Sequence, residues 1–195
     1  MRVFVGITGA SGAPYAARLV ESLAAADCEI GVCASRAGIE VLATELYGNA
    51  RLSPDETIAR FLEHAGGAAT LYDERDWHAP YASGSAKVDG YVICPCSMGT
   101  LGTIASGAMS NLIHRAASVA LKEGRRLVLV PRETPLSTIH LENMLRLRQA
   151  GAVILFGAPG FYAGAGSVGD LVDFVVSRCL DQLGVDNALV RRWGE

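Results

Sequence analysis

Short apolar runs alternate with segments of helical periodicity along the whole of the 195-residue chain. Continuous apolar runs without polar alternation are typical of strands buried on both faces. The pattern predicts strands at 2–8, 29–34, 90–95, 126–131 and 152–156, with a weaker one at 70–72. It predicts helices at 13–26, 37–46, 51–67, 137–149 and 168–183, and one or two more between 100 and 122. This alternation indicates an α/β fold, a single-domain doubly wound (Rossmann-like) parallel sheet with helices on both faces.

Composition narrows the class of protein further. Half of the residues are apolar, 19% are charged and the formal charge is −3, so a large core is available and disorder is excluded. Because binding to nucleic acid or to an acidic membrane needs a concentrated positive field, we expect neither partner. No apolar run is long enough for a signal peptide or a membrane span. Five cysteines, mostly within apolar segments, indicate a reduced cytoplasmic protein with one domain over 1–195.

Polar and glycine residues directly follow the predicted strands, where ligands bind in such sheets. After the first strand come Gly9-Ala10-Ser11-Gly12, in which glycines let backbone N–H groups approach a phosphate. The spacing matches neither the dinucleotide fingerprint nor a P-loop. We expect a phosphate-binding loop here, and the alternative is a tight turn in which Ser11 caps the helix.

The loop after the second strand bears on the choice of cofactor. An NAD site requires an acidic residue there to hold the ribose hydroxyls. This chain has Ser35 and Arg36 instead. The interpretation is that FMN or NADP remains possible and that NAD is disfavoured.

The loop after the 90–95 strand contains Cys94-Pro95-Cys96 and then Ser97, Met98, Gly99 and Thr100. No second pair of Cys or His lies at a zinc-site spacing, so we expect no metal. The hydroxyl and backbone groups of 97–100 lie at another predicted helix start, and Met98 offers an apolar face for a ring. We therefore predict a second set of cofactor contacts here.

Cationic residues supply the remaining candidates. Arg132 and Glu133 follow the most apolar strand and would face the ligand crevice, unless they form an ordinary surface salt bridge. Arg115 and Lys122 are seven residues apart on one helix and so project from the same face. These cations predict a local anion pocket, with a solvated helix face as the alternative.

A set of motifs in a fixed order points to a known family. They are Gly9-Ala10-Ser11-Gly12, Ala82-Ser83-Gly84-Ser85, Cys94-Pro95-Cys96-Ser97, Leu121-Lys122-Glu123, Val130-Pro131-Arg132-Glu133-Thr134-Pro135, Gly160-Phe161-Tyr162, Asp170-Leu171-Val172-Asp173 and Arg192-Trp193. The chain resembles the UbiX-type flavin prenyltransferases along nearly its full length. The run from Val130 to Pro135 and the closing Arg192-Trp193 are the most specific parts.

The resemblance implies an activity and its partners. Such enzymes bind reduced FMN and dimethylallyl monophosphate and join the prenyl group to flavin N5 and C6 without a metal. The product, prenylated FMN, serves UbiD-type decarboxylases. The resemblance also implies a homo-oligomer, a dodecamer, in which the tail 184–195 contacts a neighbouring subunit.

The resemblance also implies roles for particular residues. FMN would be bound by Gly9, Ala10, Ser11, Ser35, Ser97, Met98, Gly99, Thr100 and Arg132. The prenyl phosphate would contact Arg115, Lys122, Tyr162 and Arg178, and the prenyl chain would contact Trp77 and Trp193. Glu133 would transfer a proton, Glu45 would supply a second carboxylate near the phosphate, and Ser11, Lys122 and Tyr162 would complete the catalytic set.

One segment departs from the family pattern. After Tyr162 the family has a histidine, a variable residue and a proline, where this chain has Ala163-Gly164-Ala165-Gly166. Because of this departure, the sequence does not fix when the loop would close over the phosphate.

The alternatives to a flavin prenyltransferase are a flavin-dependent cysteine decarboxylase of the same fold and a non-catalytic FMN-binding protein.

Overall fold

Six parallel strands form one sheet in the order β3-β2-β1-β4-β5-β6. The computed structural model describes residues 1–162, 164–192 and 194. The strands are β1 (Arg2–Ile7), β2 (Glu29–Ala34), β3 (Ala69–Leu71), β4 (Gly90–Cys96), β5 (Arg126–Pro131) and β6 (Val153–Ile154). The strand order reverses direction beside β1, which is where doubly wound sheets open a crevice for ligands.

Seven α-helices accompany these strands within the described residues, six of them between strands and the seventh after β6. They are α1 (Ala13–Ala25), α2 (Arg36–Tyr47), α3 (Pro54–Glu63), α4 (Met98–Ser106), α5 (Leu112–Lys122), α6 (Thr138–Gln149) and α7 (Val168–Leu183). The predicted α/β class and element order are confirmed, and the 100–122 region contains two helices. The predicted helix at 51–67 is shorter, because Ser53 caps its start by accepting a hydrogen bond from the backbone N–H of Glu56.

Helices cover both faces of the sheet, as predicted. Successive strand residues point to opposite faces, so Val3 and Val5 pack with one core cluster and Phe4 with the other. The first cluster draws mainly on α1, α3 and α7, and the second on α4 and α5. None of the helices in the described part of the chain is long and apolar enough to cross a bilayer.

Candidate functional site

The loops that follow β1 and β4 are joined through the buried side chain of Thr8. Its hydroxyl donates to the Pro95 carbonyl at 3.0 Å and accepts from the Ser97 N–H at 2.8 Å. The Thr8 N–H also donates to the Pro95 carbonyl, at 3.1 Å. Two loops that lie 87 residues apart in sequence are therefore fixed side by side.

The loop after β2 is held against β1 by backbone contact. The Ser35 N–H donates to the Ile7 carbonyl at 2.9 Å. A Cβ on Gly38 would lie 2.5 Å from that carbonyl oxygen, and a Cβ on Gly9 would lie 2.6 Å from the Cβ of Ala37. Glycine is required at both positions because any larger residue would push these loops apart. Together with Arg132 and Glu133 after β5, residues 8–12, 35 and 97–100 form what we call the carboxyl edge.

Two of the predicted hydroxyl groups begin helices at the carboxyl edge. The Ser35 Oγ accepts from the Gly38 N–H at 3.1 Å, and the Ser97 Oγ accepts from the Thr100 N–H at 3.2 Å. The Ser97 hydroxyl lies 3.1 Å from the Thr100 hydroxyl. Each helix start carries a partial positive charge, so α2 and α4 both present donors suited to an anionic or carbonyl-rich ligand.

The start of α1 is capped by a distant carboxylate and not by Ser11. The Glu45 Oε2 accepts from the backbone N–H groups of Gly12 and Ala13, each at 2.8 Å. The N-cap residue is Gly12, which has φ +136 and no side-chain capping bond. The interpretation of Ser11 as a helix cap is therefore wrong. The contact places the Glu45 carboxylate one residue from Ser11, at the positive end of α1.

Arg132 and Glu133 lie half-buried at the end of β5. The Nε of Arg132 is buried and has no hydrogen-bond partner among the described residues. The Glu133 Oε1 accepts from the Thr134 N–H at 3.1 Å. In the described part of the chain the two side chains form no ion pair with each other, so the surface salt-bridge alternative is wrong. A buried guanidinium donor needs an acceptor, and a ligand at the carboxyl edge would supply one.

The thiols of Cys94 and Cys96 are buried within β4. Burial raises the pKa of the Cys96 thiol to about 12 and raises that of Cys94 well above its ordinary value. Among the described residues, no three His, Cys, Asp or Glu side chains lie close enough together to bind a metal ion. These cysteines act as small apolar residues that pack β4.

Tyr162 and Arg178 line one cavity of about 710 Å³, which we call the arginine cavity. Phe174, Asp181, Arg191 and Arg192 also line it. The Tyr162 ring meets the Phe174 ring edge-on at 5.7 Å, and a Cβ on Gly160 would lie 2.8 Å from Tyr162. Glycine at position 160 thus permits the packing of Tyr162 into this wall.

Arg115 and Lys122 lie in a different place from the arginine cavity. The Arg115 Nε donates to the Ala82 carbonyl at 2.9 Å, and Lys122 pairs with Glu123. A Cβ on Gly84 would lie 2.7 Å from the Lys122 Nζ, so both cations face segment 82–84. Because α5 ends just before β5 begins, Lys122 lies at the amino edge of the sheet, opposite Arg132. Within one chain, the four predicted phosphate ligands therefore lie in two separate groups, Arg115 with Lys122 and Tyr162 with Arg178.

Of the two tryptophans predicted to contact the prenyl chain, the structure describes Trp77. It is 48% exposed, in the loop between β3 and a short turn at Pro80–Ala82. Trp193 lies outside the described residues, as does Ala163 in the segment that departs from the family pattern. Near that segment Gly164 has φ +73, and the Gly166 N–H donates to Asp170.

Residues 1–180 match the family model described as Flavoprotein. The chain is 51% identical over 197 residues to flavin prenyltransferase UbiX of Pseudomonas aeruginosa, covering 100% of this chain and 94% of that protein. It is 46% identical over 193 residues to flavin prenyltransferase UbiX of Thermoplasma acidophilum, covering 99% and 100%.

The chain belongs to the flavoprotein family and, within it, to the UbiX flavin prenyltransferases.

Solved structures of relatives agree with this membership. AnUbiX in complex with FMN and dimethylallyl pyrophosphate has a TM-score of 0.87 and 41% identity, with 100% of this chain and 97% of that chain covered. A dodecameric FMN-dependent UbiX-like decarboxylase from Escherichia coli O157:H7 has a TM-score of 0.87 and 40% identity, with 100% of both chains covered. The cysteine decarboxylase TvaF, 15% identical with a TM-score of 0.63, shares the fold alone.

The structure adds residues that the sequence interpretation missed. Thr8 joins two loops, and the Tyr15 ring lies 3.0 Å from a Cβ built on Gly12 and 3.4 Å from one built on Gly157. Asp181 contacts two arginines of the arginine cavity. A polar residue directly after a buried strand is a local signal for Thr8, whereas the contacts of Tyr15 and Asp181 depend on residues distant in sequence.

Proposed function

We propose that this chain is a flavin prenyltransferase that transfers a dimethylallyl group from dimethylallyl monophosphate to reduced FMN. The observation that carries the proposal is the full-length identity of 51% to a flavin prenyltransferase, on a fold whose carboxyl edge and arginine cavity present separate sets of anion ligands. The proposed product is prenylated FMN, and the proposed recipient is a decarboxylase of the UbiD type.

The carboxyl edge has the donors that FMN requires. The buried Arg132 Nε has no partner in the described residues and is available to an acceptor on the flavin or its phosphate. Ser35, Ser97 and Thr100 add hydroxyls at two helix starts, and Met98 adds a buried apolar surface. Gly9, Ala10, Ser11 and Gly99 would let the backbone approach the cofactor closely. These groups fit FMN, whose ring would supply the nucleophilic atoms.

The residues of this chain would bind and orient the two substrates and would transfer protons. Guanidinium groups at the arginine cavity stabilise charge on a departing phosphate without a metal ion. Tyr162, Trp77 and Trp193 would surround the prenyl chain, because aromatic faces stabilise cationic carbon. The Glu133 carboxylate would take a proton at the end of β5, where Oε1 already accepts one N–H. Glu45 would hold the first loop in place through its bonds to Gly12 and Ala13.

We propose that the two groups of phosphate ligands meet across a contact between copies of the chain. Arg115 and Lys122 lie at segment 82–84, away from Tyr162 and Arg178, so a pocket that uses all four needs a second copy. One solved relative at 40% identity is dodecameric. We propose a homo-oligomer of this kind in the cytoplasm, with residues 1–195 as one domain and the tail 184–195 near a neighbouring subunit.

Mass spectrometry of the flavin tests the activity. The protein is incubated without oxygen with reduced FMN and dimethylallyl monophosphate, and the released flavin is expected to gain one prenyl unit. Bound flavin of unchanged mass would instead support the non-catalytic alternative, and carbon dioxide release from a cysteine-ended peptide would support the decarboxylase. The variant Glu142→Gln, an exposed carboxylate on α6, is a matched control that should retain activity.

Mixing two inactive variants tests the contact between copies. Lys122→Ala and Arg178→Ala are each expected to lose activity as separate preparations. When the two are dissociated and reassembled together, some sites would combine an intact Lys122 from one copy with an intact Arg178 from another. Recovery of a fraction of wild-type activity is expected, and complete absence of recovery in a properly assembled mixture contradicts the shared pocket.

A further inference from the structure

One carboxylate joins the end of α7 to the segment that follows it. The Asp181 Oδ2 accepts from the Arg178 NH1 at 2.8 Å, and its Oδ1 accepts from the Arg192 NH2 at 3.1 Å. Asn187 also donates to Oδ1 at 3.1 Å. Both oxygens of a single side chain are therefore used to bind groups from three positions in the chain.

The three charged side chains differ in how exposed they are. The side chain of Asp181 is 18% exposed, whereas those of Arg178 and Arg192 are 53% and 50% exposed. A guanidinium group has five N–H donors, so one arginine can bond to Asp181 and to other acceptors as well. Asp181 is the least exposed of the three groups, and both arginines line the arginine cavity.

The Asp181 contacts also set the shape of the cavity. Arg178 and Arg192 repel each other as like charges, and a carboxylate between them offsets that repulsion. Asn187 donates to Asp181 and, at 3.5 Å, to the Ser177 carbonyl, and both of these residues belong to α7, so the segment after the helix is held back against it. Val190, Arg191 and Arg192 of that segment line the cavity. Asp181 therefore links the helix wall of the cavity to its C-terminal wall.

We propose that Asp181 is a positioning residue of the prenyl-phosphate pocket that also biases it toward the monophosphate over the diphosphate. The inference rests on the proposed function, in which the arginine cavity receives the phosphate. Asp181 acts through Arg178 and Arg192 and does not contact the substrate. Its negative charge lowers the net positive charge of the cavity, and this disfavours a diphosphate, which is more negative, to a greater extent than a monophosphate.

The variant Asp181→Asn tests both parts of the proposal. Asparagine keeps the shape and one acceptor but removes the charge that holds the arginines. We expect the KM for dimethylallyl monophosphate to rise about tenfold, because two half-exposed ion pairs are lost, while kcat stays within about twofold. The ratio of the KM for the diphosphate to the KM for the monophosphate is expected to fall. Asp181→Glu, which restores the charge, should recover part of the monophosphate affinity.

Asp173→Asn is the matched control on the same helix. Asp173 pairs with Arg18 at 2.6 Å, its side chain is 25% exposed, and it does not line the cavity among the described residues. Its loss should lower the melting temperature by weakening the contact between α7 and α1. Its KM values and the ratio between the two substrates should stay at wild-type levels, which separates a loss of stability from a loss of positioning.

Direct binding distinguishes failure of the inference from failure of the proposed function. Calorimetric titration of dimethylallyl monophosphate into the FMN-loaded oligomer should show weaker binding to Asp181→Asn than to wild type. If wild type binds but does not turn over, the proposed function fails, and this titration still decides the role of Asp181. Unchanged affinity and an unchanged substrate ratio in Asp181→Asn overturn the inference. If that variant does not fold, Arg192→Ala removes the other side of the bridge and is expected to raise the same KM.

Discussion

The carboxyl edge and the arginine cavity are held together by different kinds of interaction. At the carboxyl edge, buried backbone and hydroxyl groups bond across neighbouring strands, as at Thr8, Pro95 and Ser97. The arginine cavity depends on ion pairs that Asp181 of α7 forms with two half-exposed arginines, Arg178 of the same helix and Arg192 of the segment after it. Buried hydrogen bonds leave costly unsatisfied groups when they break, whereas exposed ion pairs contribute little each. We therefore expect the carboxyl edge to be rigid and the cavity to be adjustable.

The largest expected effect concerns the chemistry at the carboxyl edge. Glu133→Gln keeps the shape of the side chain and the bond from the Thr134 N–H but cannot take up a proton. We expect kcat to fall by about a hundredfold or more, the usual contribution of a positioned general acid or base. Stopped-flow measurement of prenylated flavin gives kcat, and flavin fluorescence gives the FMN affinity, which should stay near the wild-type value. A fall of less than about threefold in kcat would falsify the assignment of proton transfer to Glu133.

The next effect concerns the rigidity of the carboxyl edge. Thr8→Val removes a buried hydroxyl of similar size and leaves the Ser97 N–H without its acceptor. We expect the free energy of unfolding to fall by about 1–3 kcal/mol and FMN binding to weaken. Urea denaturation and flavin titration measure the two quantities. Thr70→Val on the edge strand β3, where the side chain is exposed, should change neither. Equal effects from the two variants would mean that Thr8 does not join the loops as the structure indicates.

The carboxyl edge was largely predictable from the sequence, whereas the cavity was only partly so. Polar residues directly after buried strands, such as Ser35, Ser97 and Arg132, are a local signal, and the parallel sheet brings them to one edge. The contact of Glu45 with the start of α1 spans 33 residues, and no local pattern encodes it. The seven-residue spacing of Arg115 and Lys122 correctly indicated that both lie on one face of α5. It did not indicate that this face meets segment 82–84, because that contact depends on how α5 packs.

A smaller effect separates the two regions by their response to salt. Ion pairs between half-exposed groups are screened at high ionic strength, while buried hydrogen bonds are not. Raising sodium chloride from about 0.05 to about 0.5 M should raise the KM for dimethylallyl monophosphate several-fold and change the FMN dissociation constant less. Initial rates and flavin fluorescence, measured in the same buffers, give both quantities. If the two constants change by the same factor, the cavity is no more dependent on exposed charge than the carboxyl edge.

The smallest expected effect lies on α5, which carries Arg115 and Lys122 away from both regions. His114 is buried, its Nδ1 lies 2.9 Å from the Ser110 hydroxyl, and burial lowers its pKa below the ordinary value of 6.5. The unfolded chain therefore binds a proton at a higher pH than the folded chain does, and stability falls as the pH drops below 6.5. Lys122 lowers the pKa of Glu123 below its ordinary value of 4.5. The loss of stability from protonation of Glu123 therefore occurs below about pH 4.5 and is separate from the loss at His114. Melting temperatures measured between these two pH values should fall less steeply for His114→Gln than for wild type. The exposed His78→Gln should keep the wild-type slope, and a steep slope in His114→Gln would place the pH sensitivity elsewhere in the fold.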